Sequence, residues 1–133
     1  MPETMTAIEI EGGKGAADAL RPVQVERPTP GPGEILIRVR AAGVNRPDLL
    51  QRLGFYPPPP GAPTTLGLEV AGEVEVAAGR WKVGDKVCAL LGGGGYADYA
   101  VVDARQALPI PDGFDFVQAA ALPETVFTVF ANV

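Results

Sequence analysis

Short runs of alternating apolar and polar residues, each closed by glycine or proline, constrain this chain more than any other feature. Ile8 and Ile10 alternate with Glu9 and Glu11, and Val23 and Val25 with Gln24 and Glu26. Ile35, Ile37 and Val39 alternate with Leu36, Arg38 and Arg40, while Val70, Val74 and Val76 share a face opposite Glu73 and Glu75. Period two with β-branched residues on one side is the pattern of half-buried antiparallel strands. Lys86 to Leu91 and Tyr96 to Val102 read as two further strands. Turn signals separate them: Pro28 to Gly33, Pro57 to Gly61, Gly79, and Gly92 to Gly95. With 17 glycines and 14 prolines spread along 133 residues, many short elements joined by turns are expected, as in a β-barrel or sandwich.

Helical signals are few. Asn45-Arg46-Pro47-Asp48 opens a short helix to about Leu53, because Asn caps helices and proline is tolerated in the first turn. Asp115 with Gln118 three positions later reads as a capping box before Ala119-Ala120-Ala121. Pro123-Glu124 starts another helix, on which Val126, Val129, Phe130 and Val133 form one apolar stripe. That stripe is unfinished at Val133, so the chain is expected to be a fragment of a longer protein. Residues 1–122 are read as one domain, and residues 123–133 as the start of a linking helix.

Composition removes several function classes. The chain is acidic, with net charge −5, and has no basic cluster to hold a phosphate backbone or an anionic membrane. It has no histidine, which excludes Ser-His-Asp and Cys-His catalysis. Its one cysteine, Cys88, has apolar neighbours and reads as a packed thiol. From the start, Met1-Pro2-Glu3-Thr4, no secretion signal is expected, and no apolar run approaches the ~20 residues of a membrane span. A cytoplasmic protein is expected.

Four stretches in order carry a family resemblance: Pro30 to Val39, Ala42-Gly43-Val44-Asn45-Arg46-Pro47-Asp48, Leu66-Gly67-Leu68-Glu69-Val70-Ala71-Gly72, and Val83-Gly84-Asp85-Lys86-Val87. Together they resemble the amino-terminal GroES-like domain of the medium-chain dehydrogenase/reductase superfamily. Gln51 to Gly61 narrows the resemblance to the zinc-free NAD(P)H quinone oxidoreductases, the zeta-crystallin-like branch. The implied fold is mainly β with short helices, a GroES-like β-barrel. The implied whole protein has a Rossmann domain beyond this chain and works as a homodimer. It transfers hydride from NADPH or NADH to a quinone or enone.

The resemblance also implies the absence of a metal. Zinc-dependent members place a cysteine where this chain has Asn45, a histidine where it has Leu68 and a hydroxyl where it has Pro47. Neither an amide nor an alkyl side chain supplies the thiolate and imidazole ligands of a catalytic zinc. Three residues are candidates for the site that remains. Asn45 resembles a contact to the nicotinamide ribose or substrate, and a helix cap explains it equally well. Tyr56 resembles the tyrosine over the quinone site, where it would hydrogen-bond the acceptor carbonyl, or it covers the proline-rich loop. Thr128 resembles a polar residue of the linking helix near the cofactor, or is a helix-surface threonine. Glu69, in an apolar run, is expected to form a structural ion pair, with an arginine of the domain beyond this chain as one candidate partner, and not to act as a general base.

Gly92-x-Gly94-x-x-Ala97 after a strand matches a dinucleotide fingerprint on paper. That fingerprint works only where the loop opens a helix, and the sequence after it is strand-like. A turn is the better reading. Two rivals stand beside the quinone reductase: an enoyl or enone double-bond reductase of the same superfamily, and a non-enzymatic GroES-like binding module.

Overall fold

A computed structural model describes residues 3–55, 63, 65–124 and 126. The alternating runs all form strands. β1 (Thr4–Ile10) and β2 (Leu20–Glu26) pair antiparallel as a separate two-stranded sheet. β3 (Glu34–Ala42), β4 (Glu69–Val76), β5 (Lys86–Leu90), β6 (Tyr99–Asp103) and β7 (Ala107–Pro109) form an antiparallel five-stranded sheet in the order β6-β3-β4-β5-β7. This larger sheet curls into a half-barrel. Two short α-helices accompany the strands, α1 (Arg46–Arg52), between β3 and β4, and α2 (Phe116–Ala120), after β7, with single 3-10 turns at Glu11–Gly13, Ala17–Ala19 and Ala104–Gln106.

The inward faces of the strands make the core. Ile35 and Ile37 meet Val70 and Val74, with Val87, Ala89, Ala100, Val102 and Trp81 packed among them. Trp81 keeps its indole N–H satisfied inside this core by donating to the Ala104 carbonyl at 2.8 Å. The opposite face of β4 and β5 is also covered. Ala71 and Cys88 there pack against Ala119 and Ala120 of α2. Small side chains on both surfaces let the helix approach closely. Asp115 and Gln118 form the expected capping box, with Gln118 N–H donating to Asp115 at 2.7 Å and Asp115 N–H to the Gln118 side chain at 3.0 Å. The sequence reads β4 as one-sided, whereas its first half is buried on both faces.

The strand expected from Tyr96 begins only at Tyr99. The preceding residues pair elsewhere: Tyr96 N–H donates to Leu66 O, Asp98 N–H to Thr6 O, and Ala97 bridges Ala7 of β1. This segment therefore ties the small sheet to the large one before β6 joins β3. Pro123 and Glu124 are helical, as is Val126; the rest of the expected apolar stripe lies outside the described residues.

Candidate active site

Among the described residues, a connected polar cluster is built around the start of α1. Asn45 is extended, at φ −126° and ψ 159°, and stands as the N-cap. Asp48, three residues on, accepts the Asn45 backbone N–H at 3.0 Å and so completes a capping box whose carboxylate is only 2% exposed. The Asn45 side-chain amide also donates through Nδ2 to Glu69 Oε1 at 3.0 Å. A carboxylate accepts only, so this bond fixes the nitrogen of the Asn45 amide toward Glu69.

Glu69 opens β4 and is 3% exposed. Its second oxygen, Oε2, accepts the backbone N–H of Glu124 at 2.9 Å. The described residues of this chain supply Glu69 no cationic partner. Among the described residues the ion pairs lie elsewhere, and Glu69 is met by two neutral donors. Each of its oxygens has a hydrogen bond, which is how a buried carboxylate is stabilised without a cation. Gly43 gives it room: the Gly43 N–H bonds the Glu69 carbonyl at 3.1 Å, and a Cβ at position 43 would overlap the Glu69 carboxylate.

Tyr96 closes the cluster from the other side. Its hydroxyl donates to Asp48 Oδ2 at 2.6 Å, the same oxygen that accepts the Asn45 N–H. Burial, the hydrogen bond to Asp48 and the negative charges of Asp48 and Glu69 push the Tyr96 hydroxyl well above the usual phenol range. The ring is brought there by a backbone crossing at Gly67. Gly67 has φ +111°, and a Cβ on it would fall 2.6 Å from Gly95 Cα. Gly95 N–H and Tyr96 N–H bond Gly67 O and Leu66 O across this contact.

Of the three candidate residues, Asn45 joins this cluster as both N-cap and donor to Glu69, while Tyr56 and Thr128 lie outside the described residues. Two members, Asp48 and Tyr96, were not singled out by sequence reasoning. The Asn-x-x-Asp spacing signals the Asp48 contact to Asn45. Nothing local signals Tyr96, whose partner is 48 residues away.

The donor set does not suit a catalytic zinc. Asn45 and Leu68 provide neither thiolate nor imidazole, and the described residues contain no cluster of three or more His, Cys, Asp or Glu side chains able to hold a metal. Cys88 is buried, and burial and the Glu69 charge push its thiol up, which disfavours the thiolate. The Gly92 to Ala97 segment opens no helix; it leads through the Ala97 bridge into β6, and so offers no helix N-terminus for a pyrophosphate.

Comparison with known proteins agrees with this architecture. Residues 31–112 match the alcohol dehydrogenase GroES-like domain. A quinone oxidoreductase of Pseudomonas aeruginosa is 45% identical over 97 residues, covering 70% of this chain and 30% of that protein. The crystal structure of human synaptic vesicle membrane protein VAT-1 homolog-like protein superimposes with a TM-score of 0.87 at 31% identity, covering 98% of this chain and 43% of that one. The CurK enoyl reductase structure gives 0.86 at 28% identity, covering 97% of this chain and 42% of that one. The chain thus spans less than half the length of each of these relatives. It belongs to the alcohol dehydrogenase GroES-like domain family, within the medium-chain dehydrogenase/reductase superfamily.

Proposed function

We propose that this chain forms one wall of the active-site cleft of a zinc-independent NAD(P)H quinone oxidoreductase. In this reading residues 1–122 are the catalytic domain, and residues 123–133 begin the helix to a nucleotide-binding domain. In this reading the full enzyme is a cytoplasmic homodimer. When bound, the reduced nicotinamide supplies the hydride, and the protein supplies orientation and a dry wall.

The observation that carries the reading is the Asn45–Glu69 hydrogen bond. At the slot where zinc-using members resemble one another in placing a thiolate, this chain holds an amide in one fixed orientation against a buried carboxylate. A locked amide suits hydrogen bonding to a ribose hydroxyl or an acceptor carbonyl, because its rotamer is set before the ligand arrives. Tyr56 is assigned to the acceptor carbonyl and Thr128 to the cofactor.

The test joins this chain to the remainder of the Pseudomonas relative and assays NADPH oxidation by a simple quinone before and after exhaustive chelation. Activity that survives chelation, with none from the 133-residue chain alone, is the expected result. Activity lost to chelation and restored by zinc would overturn it. The CurK similarity favours a second reading, reduction of an enoyl double bond. The same joined protein given an enoyl thioester and a quinone in parallel separates the two.

A further inference from the structure

We propose that Tyr96 is a positioning residue for Asn45, acting through Asp48; this rests on the reading of Asn45 given above. The two carboxylates around Asn45 hold it at different points. Glu69 takes its side-chain amide, and Asp48 takes its backbone N–H. Asp48 Oδ2 is itself shared, with the Tyr96 hydroxyl at 2.6 Å and the Asn45 N–H at 3.0 Å. With the Tyr96 bond in place, the Asp48 carboxylate has little freedom to leave the N-cap, because its oxygen is held from both sides. The chain Tyr96–Asp48–Asn45–Glu69–Glu124 thus connects the glycine loop, the start of α1, β4 and the helical turn at Pro123.

Tyr96 is assigned no proton transfer. Its hydroxyl is the donor to a buried carboxylate, an arrangement that keeps the phenol neutral, and its role is to hold geometry. Without the hydroxyl, Asp48 loses one of two donors on the same oxygen, α1 begins less firmly, and the Asn45 amide samples more orientations. A 1 Å misplacement of a group that orients a ligand is enough to slow a reaction measurably.

Two measurements test this, and they fail independently. In the 133-residue chain, the side-chain NH₂ resonances of Asn45 are followed by NMR in wild type and Tyr96→Phe. The proposal expects them to shift and to exchange with water about fivefold faster or more, since local opening becomes easier. Unchanged Asn45 resonances overturn it. Tyr96→Leu removes the same hydroxyl with a different side chain, so a misfolded Tyr96→Phe protein leaves the question answerable by the same readout.

In the joined two-domain enzyme, Tyr96→Phe is expected to lower kcat/KM for the quinone about fivefold, and less than about twofold when Asn45 is already alanine. Equal fold-losses in both backgrounds would show that Tyr96 acts on stability alone and overturn the proposal. A joined enzyme inactive with every quinone would instead defeat the functional reading, while the NMR comparison still decides whether Tyr96 positions Asn45.

Discussion

Gly43 leaves open the volume that the Glu69 carboxylate fills. Any Cβ at position 43 would overlap Glu69 Oε1, the oxygen that accepts the Asn45 amide. The absence of one methyl group at the end of β3 is therefore a condition for the cluster at the start of α1. Gly43→Ala is expected to destabilise the chain by about 1–3 kcal/mol, the usual cost of overpacking a close-packed site. Urea denaturation followed by Trp81 fluorescence measures this as a lower midpoint at unchanged slope. A midpoint equal to wild type would mean that Glu69 can be moved without loss.

Asn45→Asp replaces the amide donor with a second carboxylate facing Glu69. At neutral pH the hydrogen bond is exchanged for like-charge contact, and a loss of about 2–4 kcal/mol is expected from an unpaired buried charge. The deficit should shrink as the pH falls, because one proton shared between the two carboxylates restores a hydrogen bond. Denaturation midpoints of wild type and variant at pH 7 and pH 5 provide the check. A deficit constant with pH would contradict the geometry.

Alkaline pH should destabilise the chain through two groups whose neutral forms the fold prefers. Cys88 is raised from an ordinary value of 9.0 by burial and the Glu69 charge, and Tyr96 from 10.0 by burial and its bond to Asp48. Above those values the unfolded chain releases protons that the folded chain still holds. Stability is thus fully present below pH 9 and declines as the pH rises past 9 and then 10. Tyr96→Phe should flatten the steeper part of the decline, above pH 10. Urea midpoints between pH 8 and pH 11 that fall equally in wild type and variant would remove Tyr96 from this account.

Cys88 packs against Ala119 and Ala120, so a thiol reagent reaches it only when α2 lifts or the chain unfolds. Reaction with an aromatic disulfide at pH 8 is expected to be at least about a hundredfold slower in buffer than in denaturant, as for a core thiol. Comparable rates in both would show that α2 does not cover this face.

The strands were legible because their signal is local. Ile35 and Ile37 or Val70 and Val74 announce an inward face through period two alone, and Asp115 with Gln118 announces a helix start within four residues. The cover that α2 gives to Ala71 and Cys88 was not legible, since small residues read alike whether exposed or packed. The same limit applies to the site. Asn45 and Glu69 could be picked out, but the backbone N–H of Glu124 that meets Glu69 could not, because a sequence shows a carboxylate and not the main chain folded against it. Tyr96 reaches Asp48 only because Gly67 and Gly95 let two loops cross, a contact that no spacing rule encodes.

The Asn45 amide, held by the buried Glu69 carboxylate, is proposed to orient the ligand without a metal. The most direct test of this measures quinone reduction by the joined two-domain protein, stripped of metal, with Asn45 intact and as Asn45→Ala. Full activity is expected in the metal-free wild type, with a loss of about tenfold in kcat/KM for the variant, the value of one or two lost hydrogen bonds. Activity that requires added zinc, or a variant as fast as wild type, would contradict it.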